Sequence, residues 1–567
     1  MQTTVKIKEQ VLVYGCGKIA ETYINNNREK VFGVMDFYKT GQTFCDKRVL
    51  SLDEVKESGV KRIVIAARQA SIPIIYRRIS DFCSSNNIKI CDIDYKIISL
   101  DSSNNELKFA LDQGLSSIIK EKIQLAEVIS FDVFDTLIGR RHLYSTDACE
   151  VFEGEKVMVY PRKEIIEYFS FAKENGKQVV FCSDMYLNSA QICELLNNFA
   201  VQVNTVDIFV SCEYGVEKTS GLFAILKEKV GSKKILHIGD SYEADFLAAI
   251  KYGIESIQVD TRLYVLEKSI HSSLLKYDNT LENRRVIGEL LASDLSLVDF
   301  ISPIIYKFVS WLKERSVNFD IILLSARDGW LINTIRTTFP KYDFPAMYFL
   351  VSRTAAVSSA IFSETDFSIV NEYPFSGTEQ EFFEKRFAMD NICDVHSVIE
   401  HSAKKRENYM KYIESLNISA NSKVGFMDLV SSGTCLKFLR KFLPYDMQGL
   451  YLSSIEDSSN HDANDLFLYS ETANCNILKY YLLLEEVLSS SKSTLKCFDE
   501  AGNPINFAEK RTNEQLCDLR NLQKNIVEYG KRTVDIDFSN VDLGLCDMIL
   551  GMASTEPHFI EDEFCGR

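Results

Sequence analysis

The sequence of 567 residues predicts a mixed α/β protein whose sheets are largely parallel. Apolar runs of strand length alternate with amphipathic helical stretches over most of the chain, which is typical of parallel strands joined by helices. Hydrophobic residues make up 46% and charged residues 25%, with only 9 prolines, as in ordinary globular proteins. At roughly 150 residues per domain, this length predicts three or four domains.

Seven apolar runs are the clearest predicted strands, because polar or glycine-containing segments bound them. They are VLVYG (11–15), RIVIAA (62–67), VISFDVF (128–134), QVVFCS (178–183), KILHIGD (234–240), DIILLSA (320–326) and KVGFMD (423–428). Clusters of polar residues at 101–106 and 277–285 interrupt this pattern and predict domain boundaries. We therefore expect three modules, at residues 1–100, 101–280 and 281–567, the last with a helical extension at its end.

Charge and cysteine usage restrict the class of protein. The net charge of -16, from 64 basic and 80 acidic residues, gives no general support for binding nucleic acid through its phosphates. The 15 cysteines are scattered without a CxxC pair, and the first residues lack a signal-peptide pattern, so we expect a reducing, cytoplasmic location. No apolar run reaches the ~18 residues of a membrane-spanning helix, so no integral membrane segment is expected.

The first module carries a turn suited to a nucleotide. The first predicted strand leads into GCGKIA (15–20) and a predicted helix, and Asp36 ends the next strand. In such a turn Gly15 permits a tight bend, Gly17 lets backbone amides approach a pyrophosphate, and Asp36 accepts a hydrogen bond from a ribose hydroxyl. The segment resembles the small Rossmann-like domain that precedes sugar-nucleotide-modifying enzymes of bacterial polysaccharide synthesis. This implies either a nucleotide site or a docking unit without a ligand.

The second module carries four polar elements in a fixed order, each at or after the end of a predicted strand. They are Asp132 to Thr136 after VISF, Ser183 and Asp184 after QVVFC, Lys218 after DIFVSC, and Asp240 followed by Asp245 after ILHIG. Since the carboxyl ends of parallel strands meet at one edge of a sheet, we expect these groups to share a site. Their order, spacing and strand context resemble the haloacid-dehalogenase-like (HAD-like) superfamily.

The resemblance implies a phosphatase that works through an aspartyl-phosphate. A carboxylate attacks a phosphoryl group only when the negative charges of both are offset, which a metal ion and a lysine achieve. Asp132 would be the nucleophile and a Mg²⁺ ligand, with Asp240 and Asp245 completing the metal site. Ser183 would hydrogen-bond the phosphoryl oxygens, and Lys218 would offset the charge of the aspartyl-phosphate.

One position departs from that superfamily. Its usual general acid/base lies two residues after the nucleophile, where this chain has Phe134, which does not transfer protons. The next residue, Asp135, replaces a common glycine. Three alternatives follow: Asp135 has taken over proton transfer, dephosphorylation is slow, or the site has lost catalysis. Proton transfer by a side chain is worth roughly 10²–10⁴ in rate.

The connection from Thr136 to Ser183 is short and also has to hold a predicted helix near residues 162–175. It leaves room for only a minimal cap over the site. Since free small metabolites need a lid that excludes water, an uncapped site favours a bulky or polymeric substrate.

The third module contains two loops that follow predicted strands. The first is SARDGW (325–330), where backbone amides, Arg327 and Asp328 are predicted to surround a pyrophosphate. Between the two loops, MYFLVSRTAA supplies another strand, with Arg353 at its tip as a further predicted phosphate contact. Strand-to-helix turns favour Gly, Ser and Asp in any case, so an ordinary turn is the alternative.

The second loop, DLVSSGT (428–434), precedes the predicted helix CLKFLRKFL. Amides and hydroxyls there are predicted to hold a terminal phosphate, and Asp428 to accept from ribose hydroxyls. The phosphate-holding residues are Ser431, Ser432, Gly433 and Thr434. The loop resembles that of type I phosphoribosyltransferases, except that Met427 replaces the first acid of their acidic pair. The resemblance implies phosphoribosyl pyrophosphate as donor substrate.

Over residues 125–500 the chain resembles dehalogenase-like proteins encoded with bacterial surface-polysaccharide enzymes, on segments such as SFDVFDTLIGR, HIGDSYEAD and LLEEVLSS. It also resembles the ribofuranosyl-transferring machinery of capsule and O-antigen synthesis. We therefore expect a bifunctional enzyme that transfers phosphoribose to a glycan or lipid-linked glycan acceptor and then removes the 5-phosphate. Other polysaccharide-assembly enzymes would be its partners. The alternatives are a stand-alone phosphatase or phosphotransferase whose C-terminal module recognises substrate, and a non-catalytic assembly scaffold.

Overall fold

The computed structural model confirms a mixed α/β architecture with several parallel sheets. All seven predicted strands are present, with small differences at their ends. The structure describes residues 10–36, 39–67, 72–93, 95–98, 107–111, 113–144, 147, 152–373, 375, 377–454, 460–470 and 475–553.

The first sheet has four parallel strands. In spatial order they are Val31–Met35, Val11–Tyr14, Arg62–Ile65 and Lys89–Cys91. The strand that comes first in the chain lies inside the sheet, and the strands that follow it pair on its two sides. Gly15 therefore stands at the point where the strand order reverses, which is where open α/β sheets bind ligands. A small hairpin joins Thr43–Phe44 to Lys47–Arg48.

The second sheet has five parallel strands. In spatial order they are Ile208–Val210, Gln178–Ser183, Val128–Phe131, Ile235–Gly239 and Glu255–Gln258. The middle strand is buried along its whole length, as expected for a parallel sheet covered on both faces. A hairpin of Ile138–Arg140 and Val159–Pro161, with the helix Phe152–Met158, lies in the connection between the first two of these strands in the chain.

The third sheet also has five parallel strands. In spatial order they are Ala346–Phe349, Ile321–Ser325, Lys423–Ser431, Asp446–Ser454 and Leu466–Tyr469. The middle strand is longer than predicted, because Asp428 and Ser431 still pair with the neighbouring strand. A separate hairpin pairs Leu495–Phe498 with Pro504–Asn506.

Helices connect these strands and follow the third sheet. The α-helices are Lys18–Asn26, Leu52–Ser58, Ile72–Ser85, Gln113–Leu125, Phe152–Met158, Lys163–Glu174, Ser189–Asn197, Ser211–Tyr214, Phe223–Val230, Ala248–Lys251, Arg262–Lys268, Leu281–Ala292, Leu297–Ser316, Gly329–Thr338, Arg353–Ser358, Glu364–Asn371, Glu379–Phe387, Val395–Ser415, Thr434–Leu439, Asn476–Leu488, Asn513–Arg532 and Leu543–Leu550. Two π-helical turns, Lys218–Leu222 and Tyr242–Leu247, belong to the second sheet's connections. Across the described residues, no helix is both long and apolar enough to cross a membrane.

The described residues form two compact units. One consists of residues from 1–102, 304–531 and 550–567, and the other of residues from 103–303 and 532–549. The second sheet belongs to the latter unit. The helix Leu281–Ala292, which falls within our third predicted module, also belongs to that unit, since Asn283 accepts a hydrogen bond from the backbone of Asp542.

Candidate active site

The middle strand of the second sheet delivers Asp132 to the carboxyl edge of that sheet. Its backbone amide donates to the carbonyl of Ile238 on the neighbouring strand, at 2.9 Å, so the strand pairing fixes its position. The side chain is buried, with 5% of the residue exposed. On the other side, the adjacent strand ends at Ser183, which is also buried. The sheet thus brings together the predicted nucleophile and the predicted phosphoryl-binding serine on adjacent strands.

Lys218 contacts the predicted nucleophile directly. Its Nζ donates to Oδ1 of Asp132 at 2.9 Å and also to Oδ1 of Asp245. Only 3% of Lys218 is exposed. Its backbone amide donates to both carboxylate oxygens of Asp184, at 2.9 and 3.2 Å, so Asp184 anchors the π-helical turn that carries the lysine. Asp184, which we assigned no role from the sequence, is therefore a positioning residue for Lys218.

Three carboxylates converge beside this lysine. One oxygen from each of Asp132, Asp240 and Asp245 lies within 4.8 Å of the others. Thr136 joins two of them, because its Oγ1 donates to Asp240 Oδ1 at 3.0 Å and to Asp132 Oδ2 at 3.4 Å. Oxygen ligands of this kind are those that Mg²⁺ and Ca²⁺ prefer. The donor set therefore fits a hard divalent cation.

Gly239 explains how Asp245 reaches the cluster. A Cβ at this position would lie 2.3 Å from Cγ of Asp245, so only glycine leaves room for the carboxylate. The backbone amide of Ser241 also donates to Asp245 Oδ2 at 2.9 Å. The glycine in ILHIGD, which the sequence shows as a turn residue, is needed here for a close approach.

Burial and neighbouring charges shift the pKa values of the ionisable groups in the site. Burial lowers the pKa of Lys218, but the carboxylates of Asp132 and Asp245 outweigh it and hold that pKa above its usual value. Burial and the charge of Asp245 keep the pKa of Asp132 raised, against the opposing effect of Lys218. For Asp240, burial and the neighbouring carboxylates raise the pKa to about 8. Three carboxylates with one lysine leave an excess of negative charge, which a divalent cation would offset.

A buried histidine, which we did not identify from the sequence, holds Asp245. His237 Nε2 lies 3.1 Å from Asp245 Oδ1, and its Nδ1 lies 2.9 Å from Oγ of Ser130. Both His237 and Ser130 are fully buried. Burial raises the pKa of Asp245, but its hydrogen bond with His237 and the charge of Lys218 outweigh burial and hold that pKa below its usual value. The position of this histidine inside the apolar run KILHIGD is the sequence signal from which its burial could have been predicted.

Phe134, a side chain that does not transfer protons, lies in the loop after Asp132. Phe134 is buried, and the guanidinium of Arg140 lies 4.1 Å from the centre of its ring. Asp135 has a φ of +58°, a left-handed conformation that aspartate tolerates better than most residues. Its side chain is 47% exposed and pairs with Arg140 at 3.8 Å. Among the described residues, no hydrogen bond joins the carboxylates of Asp135 and Asp132.

The first sheet brings its predicted residues to one edge. Gly15 has a φ of +123°, and a Cβ there would lie 2.8 Å from the carbonyl oxygen of Ala66, so the turn requires glycine. Gly17 precedes the helix Lys18–Asn26. Asp36 follows the neighbouring strand and hydrogen-bonds the Cys16 thiol, whose pKa burial and this carboxylate raise to about 12. Nucleotide binding by Gly15, Gly17 and Asp36 stays a prediction.

The predicted phosphate loop of the third sheet differs from our expectation. Residues Asp428 to Ser431 belong to the strand, and the helix that follows is only Thr434–Leu439. Gly433 has a φ of +76°, and a Cβ there would lie 2.9 Å from Nδ1 of His461. His461 Nε2 also lies 3.0 Å from the carbonyl oxygen of Ser431. His461 and Asn460 therefore occupy the side of Gly433 on which a Cβ would stand, and phosphate binding by Ser431, Ser432, Gly433 and Thr434 stays a prediction.

The hydroxyls around this strand end bind one another and the partly exposed Asp428. Ser325 Oγ donates to Asp428 Oδ1 at 3.4 Å, and Ser431 hydrogen-bonds the same side chain. Ser432 and Thr434 are joined through their hydroxyls at 2.9 Å. Burial raises the pKa of Asp428. The carboxylate of Asp428 therefore accepts its hydrogen bonds from neutral donors.

The first predicted loop of the third sheet lies at the same edge. Arg327 has a φ of +73°, its backbone amide donates to the Tyr348 hydroxyl at 2.9 Å, and its Nη1 donates to Thr494 at 3.4 Å. Asp328 precedes the helix Gly329–Thr338. Arg353 begins the helix after the edge strand. Donor binding by these residues stays a prediction.

No model of a known protein family matches the chain, and comparison with curated proteins finds no match.

Proposed function

We propose that the chain is a metal-dependent phosphatase or phosphotransferase that acts through an aspartyl-phosphate on Asp132. The observation that carries the proposal is the contact of a buried lysine with a buried aspartate, Lys218 Nζ to Asp132 Oδ1 at 2.9 Å, next to two further carboxylates. A purely structural ion pair needs one carboxylate for one lysine. The extra carboxylates are costly to bury together unless a cation joins them.

In this proposal Asp132 Oδ2, the oxygen that does not accept from Lys218, attacks phosphorus in line with the leaving group. The bond from phosphorus to the leaving oxygen breaks as the new carboxyl-phosphate bond forms, and the leaving oxygen takes a proton from water. Water or an acceptor hydroxyl then attacks phosphorus and gives its proton to solvent, while the carboxyl-phosphate bond breaks and restores the carboxylate. Lys218 offsets the negative charge that the aspartyl group gains, and Ser183 donates a hydrogen bond to a phosphoryl oxygen.

Asp132, Asp240 and Asp245 would hold Mg²⁺. When bound, Mg²⁺ supplies positive charge that offsets the phosphoryl oxygens and the carboxylates together. Asp184 and His237 keep Lys218 and Asp245 in place, at hydrogen-bond distances of 2.9 and 3.1 Å. These two residues therefore act on the reaction through the groups that they position.

The absence of an acid or base at Phe134 has a consequence for rate. Without a side chain to activate water, hydrolysis of the aspartyl-phosphate slows by roughly 10²–10⁴. An acceptor hydroxyl bound beside the site gains an advantage over water under these conditions. We therefore propose that transfer to an acceptor competes with hydrolysis.

The test is phosphate release from para-nitrophenyl phosphate with and without Mg²⁺, together with trapping of a phosphoenzyme. The expected result is Mg²⁺-dependent release and a hydroxylamine-sensitive phosphate label, both lost in Asp132→Asn. Asp294→Asn is the matched control, since it makes the same change at a carboxylate that pairs with Lys163 on the surface. Release that is equal in Asp132→Asn and Asp294→Asn would show that the proposal is wrong.

Transfer of phosphoribose to a glycan acceptor stays a prediction for the third sheet. His461 lies on the side of Gly433 where a Cβ would stand, so a phosphate would have to approach the loop from another side. Pyrophosphate release from phosphoribosyl pyrophosphate, dependent on an acceptor glycan and lost in Asp428→Ala, is the result that would establish it.

A further inference from the structure

Three basic side chains lie near the carboxyl edge of the third sheet, outside the site proposed above. Arg353 begins the helix after the strand Ala346–Phe349, Arg386 lies in the helix Glu379–Phe387, and Lys437 follows the strand that carries Asp428. Arg353 and Lys437 are partly exposed, whereas only 7% of Arg386 is exposed. A chain with 80 acidic residues thus places three cations in one region of one unit.

A hydrogen bond between their helices holds the two arginines close together. The hydroxyl of Thr354 donates to the backbone carbonyl of Lys385 at 2.6 Å. These two residues directly follow Arg353 and precede Arg386 in the sequence. The proximity has an electrostatic effect, because burial and the charge of Arg353 together lower the pKa of Arg386 to about 10. The fold therefore holds two like charges together at a cost.

Tyr373 connects the arginines to the lysine. The Nζ of Lys437 donates to the Tyr373 hydroxyl at 3.2 Å and to Oδ1 of Asn460 at 2.8 Å. Tyr373 also interacts electrostatically with Arg386, and the ring of Phe375 lies 5.6 Å from the Arg386 guanidinium. Lys437 and Arg386 thus both interact with Tyr373, and Arg353 joins them through its electrostatic interaction with Arg386.

The usual carboxylate partners are not in contact with two of these cations. Within the described part of the chain, neither Arg353 nor Lys437 has a carboxylate oxygen within 4 Å, and the buried Nε of Arg353 has no hydrogen-bond partner. Asp428 is close enough to feel the charge of Arg353, but its hydrogen bonds come from serines and from the backbone amide of Leu429. Arg353 and Lys437 therefore have unused charge and hydrogen-bond donors for an anion.

We propose that Arg353, Arg386 and Lys437 form a binding site for the phosphate group of a phosphorylated small molecule, separate from the Asp132 site. Guanidinium groups match the geometry of phosphate oxygens, and a lysine adds a further charge. Unlike our expectation from the sequence, side chains from three helices hold the phosphate here, and the backbone amides beside Gly433 do not.

The test is calorimetric titration of the full chain with inorganic pyrophosphate, in EDTA so that no metal contributes. Arg353→Gln and Lys437→Gln are the main variants, because both side chains are partly exposed and their loss is compatible with folding. Lys411→Gln is the matched control, a lysine in the same unit that pairs with Glu407. We expect each main variant to weaken pyrophosphate binding about tenfold or more, and the control to bind as the wild type.

Two further results make the test decisive. Arg353→Lys keeps the charge, so it should bind more tightly than Arg353→Gln. Phosphate release from para-nitrophenyl phosphate should be the same in all these variants as in the wild type, which separates this proposal from the Asp132 proposal. Either of two results would overturn the proposed site of Arg353, Arg386 and Lys437, whatever the phosphatase result. The first is wild-type protein that binds no pyrophosphate. The second is binding by Arg353→Gln and Lys437→Gln that is as tight as that of Lys411→Gln.

Discussion

The second and third sheets each place an aspartate near the carboxyl end of the middle of five parallel strands, yet the two aspartates differ in their surroundings, since Asp132 is buried and Asp428 is partly exposed. Asp132 accepts a hydrogen bond from the Lys218 ammonium and stands beside two more carboxylates. Asp428 accepts hydrogen bonds from a hydroxyl and an amide, and Arg353, which interacts with it electrostatically, makes no ion pair with it among the described residues. The same position in the same type of sheet thus serves two different electrostatic purposes.

The difference teaches that the position of an aspartate in a sheet does not define its chemistry. In the second sheet, three carboxylates around one lysine leave negative charge in excess, which favours a metal ion. In the third sheet, Asp428 interacts with Arg353 without an ion pair to it, and we propose that this arginine helps to bind a phosphate. Side chains from other elements decide between the two.

Replacing Lys218 with methionine should give the largest effect. It removes the ammonium group that bonds both Asp132 and Asp245, and breaking such a buried pair costs about 3–5 kcal/mol of unfolding free energy. The rate of para-nitrophenyl phosphate cleavage should fall about 10²–10³-fold. Urea denaturation and steady-state kinetics measure the two effects. A stable, active Lys218→Met protein would mean that the ion pair plays no part in the site.

The metal-free protein should lose stability as pH rises from about 4 to 8, in part because of Asp240. The pKa of this carboxyl is raised from 3.8 to about 8 in the folded protein, so between these values the folded state holds a proton that the unfolded chain has released. Its contribution is complete below about pH 4 and lost as pH approaches 8. Thermal unfolding in EDTA should show a shallower decline for Asp240→Asn.

Addition of Mg²⁺ provides the control for that prediction. At pH 8 it should raise the melting temperature of the wild type and leave that of Asp240→Asn nearly unchanged, because the variant lacks one ligand. Parallel slopes for the two proteins in EDTA would contradict the role assigned to Asp240.

Asp428→Asn should have the smallest effect. Asparagine keeps an oxygen that accepts from Ser325 and Leu429, so we expect a cost of about 1 kcal/mol in unfolding free energy and unchanged cleavage of para-nitrophenyl phosphate. Urea denaturation and the same kinetic assay check it. If Asp428→Asn lost as much unfolding free energy and cleavage rate as Lys218→Met, the difference that we infer between Asp132 and Asp428 would be wrong.

Much of the secondary structure could be predicted from the local sequence pattern. Apolar runs such as QVVFCS form strands within their predicted bounds, and the amphipathic run NEQLCDLRNLQKNIVEYGKR forms the helix Asn513–Arg532. In the predicted phosphoryl site, Lys218 and Asp245 join Asp132 because strand ends meet at one edge. The length of the strand Lys423–Ser431 was predicted wrongly, since its pairing with Asp446–Ser454 continues past the polar residues at its end.

The sequence by itself determined the strands, their alternation with helices and the order in which carboxylates and Lys218 follow strand ends, because these depend on neighbours in the chain. Only the tertiary structure decided which groups that are distant in the sequence interact electrostatically or pack against each other. His461 fills the side of Gly433 from about 30 residues away, and Arg386 stands beside Arg353 through the contact of two helices. Such contacts leave no periodic pattern in the chain, because each depends on the packing of elements that the sequence separates.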